Sequence, residues 1–252
     1  MYFDTHCHIS KEYYDDIDLL MKENKEANVE KIVISGCEKN AMKETIDLSL
    51  KYSSIYITLG YHPNSIEFIG TKELKLLENL LVNTPKVVAL GEIGLDYHWG
   101  KETVNKQKDM FRKQMELAEK LNLPVVIHSR DAVKDTVEVL KEFNCSGVIH
   151  CFTEDLATAK EYISLGYKLG IGGIVTFKNS KLKEVIKEIS LENIVLETDA
   201  PYLAPEPFRG KTNSSKYLYL IAKEIAKIKD LEEKEVVDIL YQNSMELFDL
   251  HK

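Results

Sequence analysis

The chain has 252 residues, of which 44% are hydrophobic and 29% charged, as in ordinary globular proteins of one large domain or two small ones. Its formal net charge is −8, so its overall field does not attract nucleic acid or anionic membranes, and a nucleic-acid substrate would need local basic residues or metal ions. The four cysteines form no C-x-x-C pair, and neither a leader peptide nor a membrane-spanning apolar run is evident, so we expect a cytoplasmic protein with reduced thiols and no membrane association.

Short runs rich in β-branched residues alternate along the chain with longer amphipathic stretches. The predicted strands are Tyr2–His6, Lys31–Gly36, Ile55–Leu59, Val87–Glu92, Val125–His128, Gly147–His150, Lys168–Ile171 and Ile194–Asp199. The predicted helices are Ile17–Ala27, Ala41–Tyr52, Lys72–Val82, Lys106–Leu121, Ala132–Phe143, Leu156–Leu165 and Leu182–Ile189, with two more near Ser214–Ile228 and Glu232–Leu247. This rhythm predicts an α/β fold, a (β/α)₈ TIM barrel with extra C-terminal helices, as a single domain over 1–252.

An open, doubly wound sheet is the alternative architecture. No Gly-rich phosphate loop and no G-x-G-x-x-G follows the first predicted strand, which counts against a nucleotide-binding sheet of that kind. In a TIM barrel the chemistry lies at the C-terminal ends of the strands. The residue types at those ends therefore indicate what the protein does.

The first predicted strand leads into a histidine pair, His6 and His8, with Asp4 before them. Successive strand residues alternate faces, so these three side chains point the same way and Cys7 points the other way. Two imidazoles at this spacing can hold one metal ion together. An isolated H-x-H is a weak signal, because paired histidines are common in proteins.

Further metal-ligand types fall at other predicted strand ends: Glu92 at the fourth, His128 at the fifth, His150 at the sixth and Asp199 at the eighth. Imidazole with carboxylate suits Zn²⁺, Mn²⁺, Fe²⁺ or Co²⁺, and a carboxylate- and water-rich site also takes Mg²⁺. Six ligands exceed the need of one tetrahedral ion, so a pair of ions bridged by a central carboxylate, Glu92, fits better. The competing interpretation is a set of structural histidines and acids inside the barrel.

These motifs, taken together, resemble the TatD family of metal-dependent deoxyribonucleases, which belongs to the amidohydrolase-like TIM barrels. The resemblance extends from Tyr2 to the C-terminal helices. It is carried by the segments Phe3–His8, Gly91–Tyr97, Ile127–Arg130, His150–Phe152 and Glu197–Tyr202, and also by Gly60–Pro63 and Phe208–Asn213. The chain departs from the expected pattern at His98, which follows Tyr97. Glu92 occupies the position where many amide and lactone hydrolases of this group carry a carbamylated lysine.

The resemblance implies a site for two divalent ions, with Mg²⁺, Mn²⁺ or Zn²⁺ as candidates. It assigns His6, His8, Glu92 and Asp199 to one ion, and Glu92, His128 and His150 to the other. It also implies hydrolysis of DNA phosphodiesters, often from the 3′ end, so single-stranded DNA or a 3′ end is the expected substrate. No protein partner is evident.

The catalytic residues in this interpretation are Asp199 and Glu92. A water activated by the ions attacks phosphorus, and Asp199 accepts its proton while Glu92 bridges the ions. Glu197 and Asp4 are candidates for orienting the ligand side chains from behind.

The candidate substrate-binding residues are Arg130, His62, Arg209 and Tyr202. Arg130 can clamp a phosphate, and Arg209 with Lys211 supplies positive charge in the loop after the eighth strand. Tyr97, Trp99 and Phe152 join Tyr202 as aromatics that can stack on bases. For each of them the alternative is ordinary packing, a turn cap or a solvated surface position.

Two other functions stay open on the sequence. A two-metal amidohydrolase or esterase acting on a small molecule would use the same ligands. A non-catalytic binding module could retain a metal-stabilised barrel, although the complete ligand set argues against it. The basic residues Arg130, Arg209 and Lys211 favour a phosphate-bearing substrate.

Overall fold

The computed structural model describes residues 1–38, 41–98 and 102–250. Eight strands lie within these ranges: β1 Tyr2–Cys7, β2 Val29–Gly36, β3 Ile55–Leu59, β4 Val87–Asp96, β5 Val125–Arg130, β6 Gly147–Ile149, β7 Tyr167–Ile171 and β8 Ile194–Leu196. The same ranges contain nine α-helices: α1 Ile17–Glu26, α2 Ala41–Lys51, α3 Thr71–Asn83, α4 Val104–Leu121, α5 Val133–Leu140, α6 Leu156–Ser164, α7 Leu182–Glu188, α8 Leu218–Lys229 and α9 Glu233–Leu247.

The eight strands form one parallel sheet in chain order, which curves into a barrel. Hydrogen bonds between β1 and the chain around the end of β8 bring the two edges together. The Asp199 N–H donates to the His6 carbonyl at 3.0 Å, and the His8 N–H donates to the Ala200 carbonyl at 2.6 Å. The Thr5 hydroxyl donates to the Leu196 carbonyl at 2.8 Å. The predicted TIM barrel is confirmed: α1 to α8 each follow one strand, and α9 is additional.

Small and β-branched side chains fill the inside of the barrel, together with two phenylalanines; they are Phe3, Val33, Val88, Ala89, Val126, Val148, Val195 and Phe248. Phe248, which follows α9 and is only 4% exposed, packs with its ring centroid 5.9 Å from that of Phe3 near the start of β1. The C-terminal segment therefore covers the end of the barrel where the strands begin. The opposite end, where the strands finish, carries the cleft described below.

Local sequence signals set the helix ends. The Asp16 carboxylate accepts a hydrogen bond from the Leu19 N–H at the start of α1, and Asp155 does the same for Thr158 at the start of α6. Asn122 ends α4 in the left-handed conformation, with φ of 51°. The helices in the described part of the chain lack the length and the apolar character of a membrane span.

Five strands end at other residues than predicted, β1 by one residue, at Cys7 in place of His6. β4 does not stop at Glu92 but continues to Asp96, because Glu92 is an extra residue in the pairing with β5: Gly91 pairs with Val126, and Ile93 with Ile127. β5 likewise continues beyond His128 to Arg130, paired with the extended β4. Two other strands are shorter than predicted. β6 ends at Ile149 and β8 at Leu196, so that His150 and Asp199 lie on the segments that leave the barrel.

Candidate metal centre

Glu92 lies at the centre of a cluster of imidazoles and carboxylates at the C-terminal end of the barrel. Its Oε1 atom lies 2.7 Å from His128 Nδ1 and 3.1 Å from His150 Nε2. Its Oε2 atom lies 3.4 Å from His6 Nε2 and 3.8 Å from His8 Nε2. The two carboxylate oxygens therefore face different groups of histidines, as a bridging carboxylate requires.

The first group contains His6, His8 and Asp199, as the sequence predicts. The Nε2 atoms of His6 and His8 lie 3.2 Å apart. Asp199 Oδ1 lies 3.7 Å from the first of these atoms and 3.4 Å from the second. Asp199 has a positive φ of 54° just beyond β8, so the chain turns sharply where the carboxylate enters the site.

The second group surrounds the other oxygen of Glu92: His128 and His150, which the resemblance assigns to one ion with Glu92, both face Oε1. His62, Glu92 and His128 offer ligand atoms that lie within 4.8 Å of one another, and His62 Nε2 is 3.5 Å from Glu92 Oε1. His150 also shares such a grouping with His6 and Asp199. It lies between the two groups, with its ring stacked on that of His6 at a centroid distance of 4.0 Å.

The sequence interpretation did not include Asp96 in the site. This side chain is only 2% exposed, and its Oδ2 lies 3.2 Å from His128 Nε2 and 3.2 Å from Asn64 Nδ2. The signal was present, because Glu92 and Asp96 are four residues apart and share a face if the strand continues. Gly94 lies between them with φ of 141°, and a Cβ there would lie 2.0 Å from the His128 carbonyl oxygen. The glycine thus lets β4 approach β5 where both acids enter the site.

Burial and neighbouring charges set the pKa values of the carboxylates. Burial alone would raise the pKa of Glu92, but His150, His62 and His128 hold it well below its ordinary value. Burial opposes the shift at Asp199 too, and the neighbouring His8 and His150 lower its pKa. Asp96 has its pKa lowered to about 2, because hydrogen bonds from His128 and the His98 backbone outweigh burial. These carboxylates are therefore held in the charged form that metal ions bind.

The pKa values of the imidazoles are shifted in both directions within this site. Burial, reinforced by the nearby His150, lowers the pKa of His6 and keeps its ring neutral. Burial also disfavours the charged form of His8 and His150, but neighbouring carboxylates outweigh it. Asp199 raises the pKa of His8. Glu92 and Glu197 raise the pKa of His150. The carboxylates thus draw protons to these rings when nothing else balances their charge.

The residues present fit divalent metal ions. The Nε2 atoms of His6 and His8 point at a common space that also faces Glu92 and Asp199. His6 Nδ1 is buried and has no hydrogen-bond partner among the described residues. Imidazole nitrogens and carboxylate oxygens are the ligands of Zn²⁺, Mn²⁺ and related ions. Such ions would balance the crowded charges.

Buried polar side chains hold the candidate ligands from behind. Glu197 accepts a hydrogen bond from the Cys151 N–H at 2.6 Å, and its Oε1 lies 3.5 Å from His150 Nδ1. A Cβ on Gly170 would lie 2.1 Å from Glu197 Oε2, so only glycine leaves room for this carboxylate. The Asp4 carboxylate accepts hydrogen bonds from the backbone and hydroxyl of Thr198, which precedes Asp199.

A cleft of about 1060 Å³ opens over the cluster. Three predicted substrate-binding residues, Arg130, His62 and Tyr202, line it. Arg209, the fourth, is not among the described residues of the lining; its guanidinium lies 4.5 Å from the centre of the Phe177 ring. Its guanidinium thus stacks on an aromatic neighbour instead of facing the cleft.

Tyr97, Phe152 and Lys211, three further candidate binding residues, are not among the described residues that line the cleft. The Tyr97 hydroxyl donates to Asp135 at 2.7 Å, and Phe152 is buried against Tyr162. Lys211 is exposed and is not among the described lining residues. Trp99 lies outside the described residues.

Comparison with known proteins identifies clear relatives of the chain. The model of a family described as TatD related DNase matches residues 3–249. An uncharacterized metal-dependent hydrolase, YabD of Bacillus subtilis, is 40% identical, and the match covers 98% of this chain and 99% of that protein. The Escherichia coli metal-dependent hydrolase YcfH, also called uncharacterized, is 33% identical over 97% of this chain and 94% of its own.

Solved structures agree with these matches. The E. coli TatD homolog YJJV is 30% identical and superposes with a TM-score of 0.93 over 98% of both chains. A hydrolase of the TatD family from Entamoeba histolytica is 26% identical, with a TM-score of 0.87 over 98% of this chain and 97% of its own. Fold and sequence thus point to the same group of proteins.

Proposed function

Because the chain belongs to the TatD family of metal-dependent hydrolases, we propose that it is a deoxyribonuclease that hydrolyses the phosphodiester bonds of DNA from the 3′ end. The observation that carries this proposal is the position of Glu92 between two groups of imidazoles. That arrangement suits a pair of divalent ions, which hold the attacking and leaving oxygens of a phosphodiester in many nucleases.

The side chains around Glu92 would have different roles in the reaction. Divalent ions, when bound, would make a water more acidic and offset the negative charge of the phosphate. Asp199, whose Oδ1 lies 3.4 Å from His8 Nε2, would accept the proton of the attacking water. Arg130 lines the cleft and would bind a phosphate oxygen. His62, 3.5 Å from Glu92, would either complete the second group of ligands or donate to the phosphate.

A nuclease assay with defined metals tests the proposal. After removal of metals by a chelator, the protein is expected to be inactive on a 5′-labelled single-stranded oligonucleotide, and Mg²⁺ or Mn²⁺ should restore a ladder that shortens from the 3′ end. Duplex DNA and RNA of the same sequence give the preference for nucleic-acid type. Absence of cleavage with Mg²⁺, Mn²⁺, Zn²⁺ and Co²⁺ would contradict the proposal.

A hydrolase of small esters or amides is the second candidate. It is favoured by one observation: Arg130 is the only lysine or arginine among the described residues that line the cleft. A polymer with many phosphates gains little from such a surface. Turnover of simple esters or amides by the metal-loaded protein, with none of DNA, would support this candidate.

Replacement of Glu197 is expected to weaken metal binding without touching a ligand. Removing the carboxylate that faces His150 should lower metal affinity roughly 10- to 100-fold in Glu197→Ala, with partial recovery in Glu197→Gln. Gly170→Ala should act in the same direction, because its Cβ would displace the carboxylate. Titration calorimetry of the metal-free proteins with Mn²⁺ or Zn²⁺ measures the effect.

A matched control for Glu197 is Glu192→Ala, since Glu192 is an exposed glutamate before β8. It should bind metal as the unmodified protein does. The absorption spectrum of bound Co²⁺ adds a test of ligand geometry, and it should change in Glu197→Ala. An unchanged spectrum and affinity in a folded Glu197→Ala protein would show that this side chain only packs.

A further inference from the structure

Two tyrosines meet at the edge of the cleft, beside the first group of candidate ligands. Tyr13 lies in the turn between β1 and α1, and Tyr202 follows Asp199 after β8. The Tyr202 hydroxyl donates to the Tyr13 hydroxyl at 3.0 Å, and the ring centroids are 5.9 Å apart at 69°. The Tyr202 ring is also 6.1 Å from the ring of His8. The pair therefore borders the reaction centre directly.

Both rings are open to solvent: Tyr13 is 38% and Tyr202 49% exposed. The described residues include only two other exposed aromatic side chains, Phe68 and Tyr219, and neither lines the cleft. Leu203, 37% exposed, continues the apolar surface next to Tyr202 along the cleft. Exposed aromatic surface gathered at a reaction centre, rather than scattered over the protein, indicates a ligand contact.

The position of Tyr202 is tied to that of Asp199. The Tyr202 N–H donates to the Asp199 carbonyl at 2.9 Å. The fully buried Asn213 side chain donates to the carbonyls of Tyr202 at 2.7 Å and Thr198 at 2.9 Å. These bonds fix the backbone of Tyr202 relative to Asp199, and the contact between the two hydroxyls orients its ring. Such a preorganised surface loses little conformational freedom when a ligand binds.

The charge of the cleft shows what kind of contact a substrate can gain there. Apart from the candidate ligands, the described lining residues include five acids, Glu12, Glu38, Glu44, Asp131 and Glu154, against Arg130 alone among lysines and arginines. A groove that follows a nucleic-acid backbone carries many basic residues. This cleft therefore offers little attraction to phosphates away from the metal centre, and stacking is the remaining source of affinity for a nucleotide.

We propose that Tyr13 and Tyr202 form a subsite for one nucleobase, that of a nucleotide adjoining the phosphodiester bond that is cleaved. The proposal rests on the phosphodiesterase function proposed above and adds how its substrate is held. Every base presents a flat π-face, so the subsite would accept any base without reading the sequence. Arg130 and the metal centre would hold the phosphate, and the tyrosine pair would hold the adjoining base.

Dinucleotide substrates with a single phosphodiester bond test the subsite. A dithymidine monophosphate is compared with analogues in which the base is missing from the 5′ residue, the 3′ residue or both. Stacking of one base contributes about 1–3 kcal/mol, so removing the base that the tyrosines hold should lower kcat/KM roughly 5- to 150-fold. In the Tyr13→Ala/Tyr202→Ala double variant the ratio of rates with and without that base should fall to near one.

Two further variants separate stacking from other effects. Tyr13→Phe/Tyr202→Phe keeps the rings and should preserve most of the preference for the base. Tyr219→Ala removes a tyrosine on α8 that is 41% exposed and outside the described cleft lining, and it should retain the full preference. Equal cleavage of base-bearing and abasic dinucleotides by the unmodified protein would overturn the subsite while leaving phosphodiester hydrolysis intact. If the metal-loaded protein cleaves DNA oligonucleotides and dinucleotides at no measurable rate, the proposed function itself fails, and the base subsite with it.

Discussion

Replacement of Glu92 by alanine or glutamine is expected to remove metal-dependent hydrolysis. The Glu92 carboxylate lies between the two groups of imidazoles and has oxygens within 2.7 to 3.8 Å of His128, His150, His6 and His8. Outer partners of metal ligands already account for about 10- to 100-fold in affinity or activity, so loss of the central carboxylate should lower kcat/KM by more than roughly a hundredfold. Glu92→Gln keeps the size of the side chain but not its charge.

Metal content distinguishes this effect from a general loss of structure. Elemental analysis of Glu92→Gln should find fewer ions per chain than in the unmodified protein, while circular dichroism shows the same helix content. Glu116→Gln, at an exposed position on α4, is the control for loss of one negative charge and should keep both metal and activity. Full activity of Glu92→Gln with a normal metal content would contradict the proposed bridge.

The barrel was predictable because its signals are local. Each β-branched run and each amphipathic stretch is short, and the alternation recurs eight times with the bounds of most elements within a few residues of those observed. The ends of β4 and β8 were not predictable in this way. β4 continues past Glu92 because β5 pairs with it as far as Asp96 and Arg130, a contact between distant parts of the chain. Such contacts leave little trace in the local pattern.

The candidate site likewise contains residues that local patterns predict and residues that depend on contacts between distant parts of the chain. We could predict His6, His8, His128, His150 and Asp199 as ligands because their residue types fall at or beside the ends of strands, and the fold brings those ends together. The contribution of Asp96 depended on the length of β4, and the proximity of His62 to Glu92 depends on the loop after β3.

Contacts between side chains across the mouth of the cleft could not be predicted from the sequence pattern. Tyr13 and Tyr202 are 189 residues apart in the chain, and nothing local indicates that their hydroxyls meet. The sequence also does not indicate the space that Gly170 leaves for the Glu197 carboxylate, since that space depends on β7 lying beside the end of β8. The sequence thus suggested which acids and histidines to consider as ligands, while the contacts that support them can be seen only in the assembled barrel.

Substitution of Asp199 should separate its two proposed roles, as ligand and as proton acceptor. Asp199→Ala removes both, and activity should fall by more than roughly a hundredfold together with metal affinity. Asp199→Asn retains an oxygen that can bind a metal beside His8 but cannot take up a proton at ordinary pH. Its kcat should therefore fall about 10²- to 10⁴-fold, the usual contribution of a general base, with a much smaller change in metal affinity.

Single-turnover rates and calorimetric metal titrations, both made on the same preparations, provide the comparison for Asp199. Asp47→Asn, at an exposed position on α2, controls for the loss of a carboxylate elsewhere and should match the unmodified protein in both measurements. If kcat and metal affinity fall in parallel in Asp199→Asn, Asp199 acts as a ligand only, and the proton of the attacking water must go to another group. His62 is then a candidate for that group, because its Nε2 lies 3.5 Å from Glu92 Oε1 and its side chain lines the cleft.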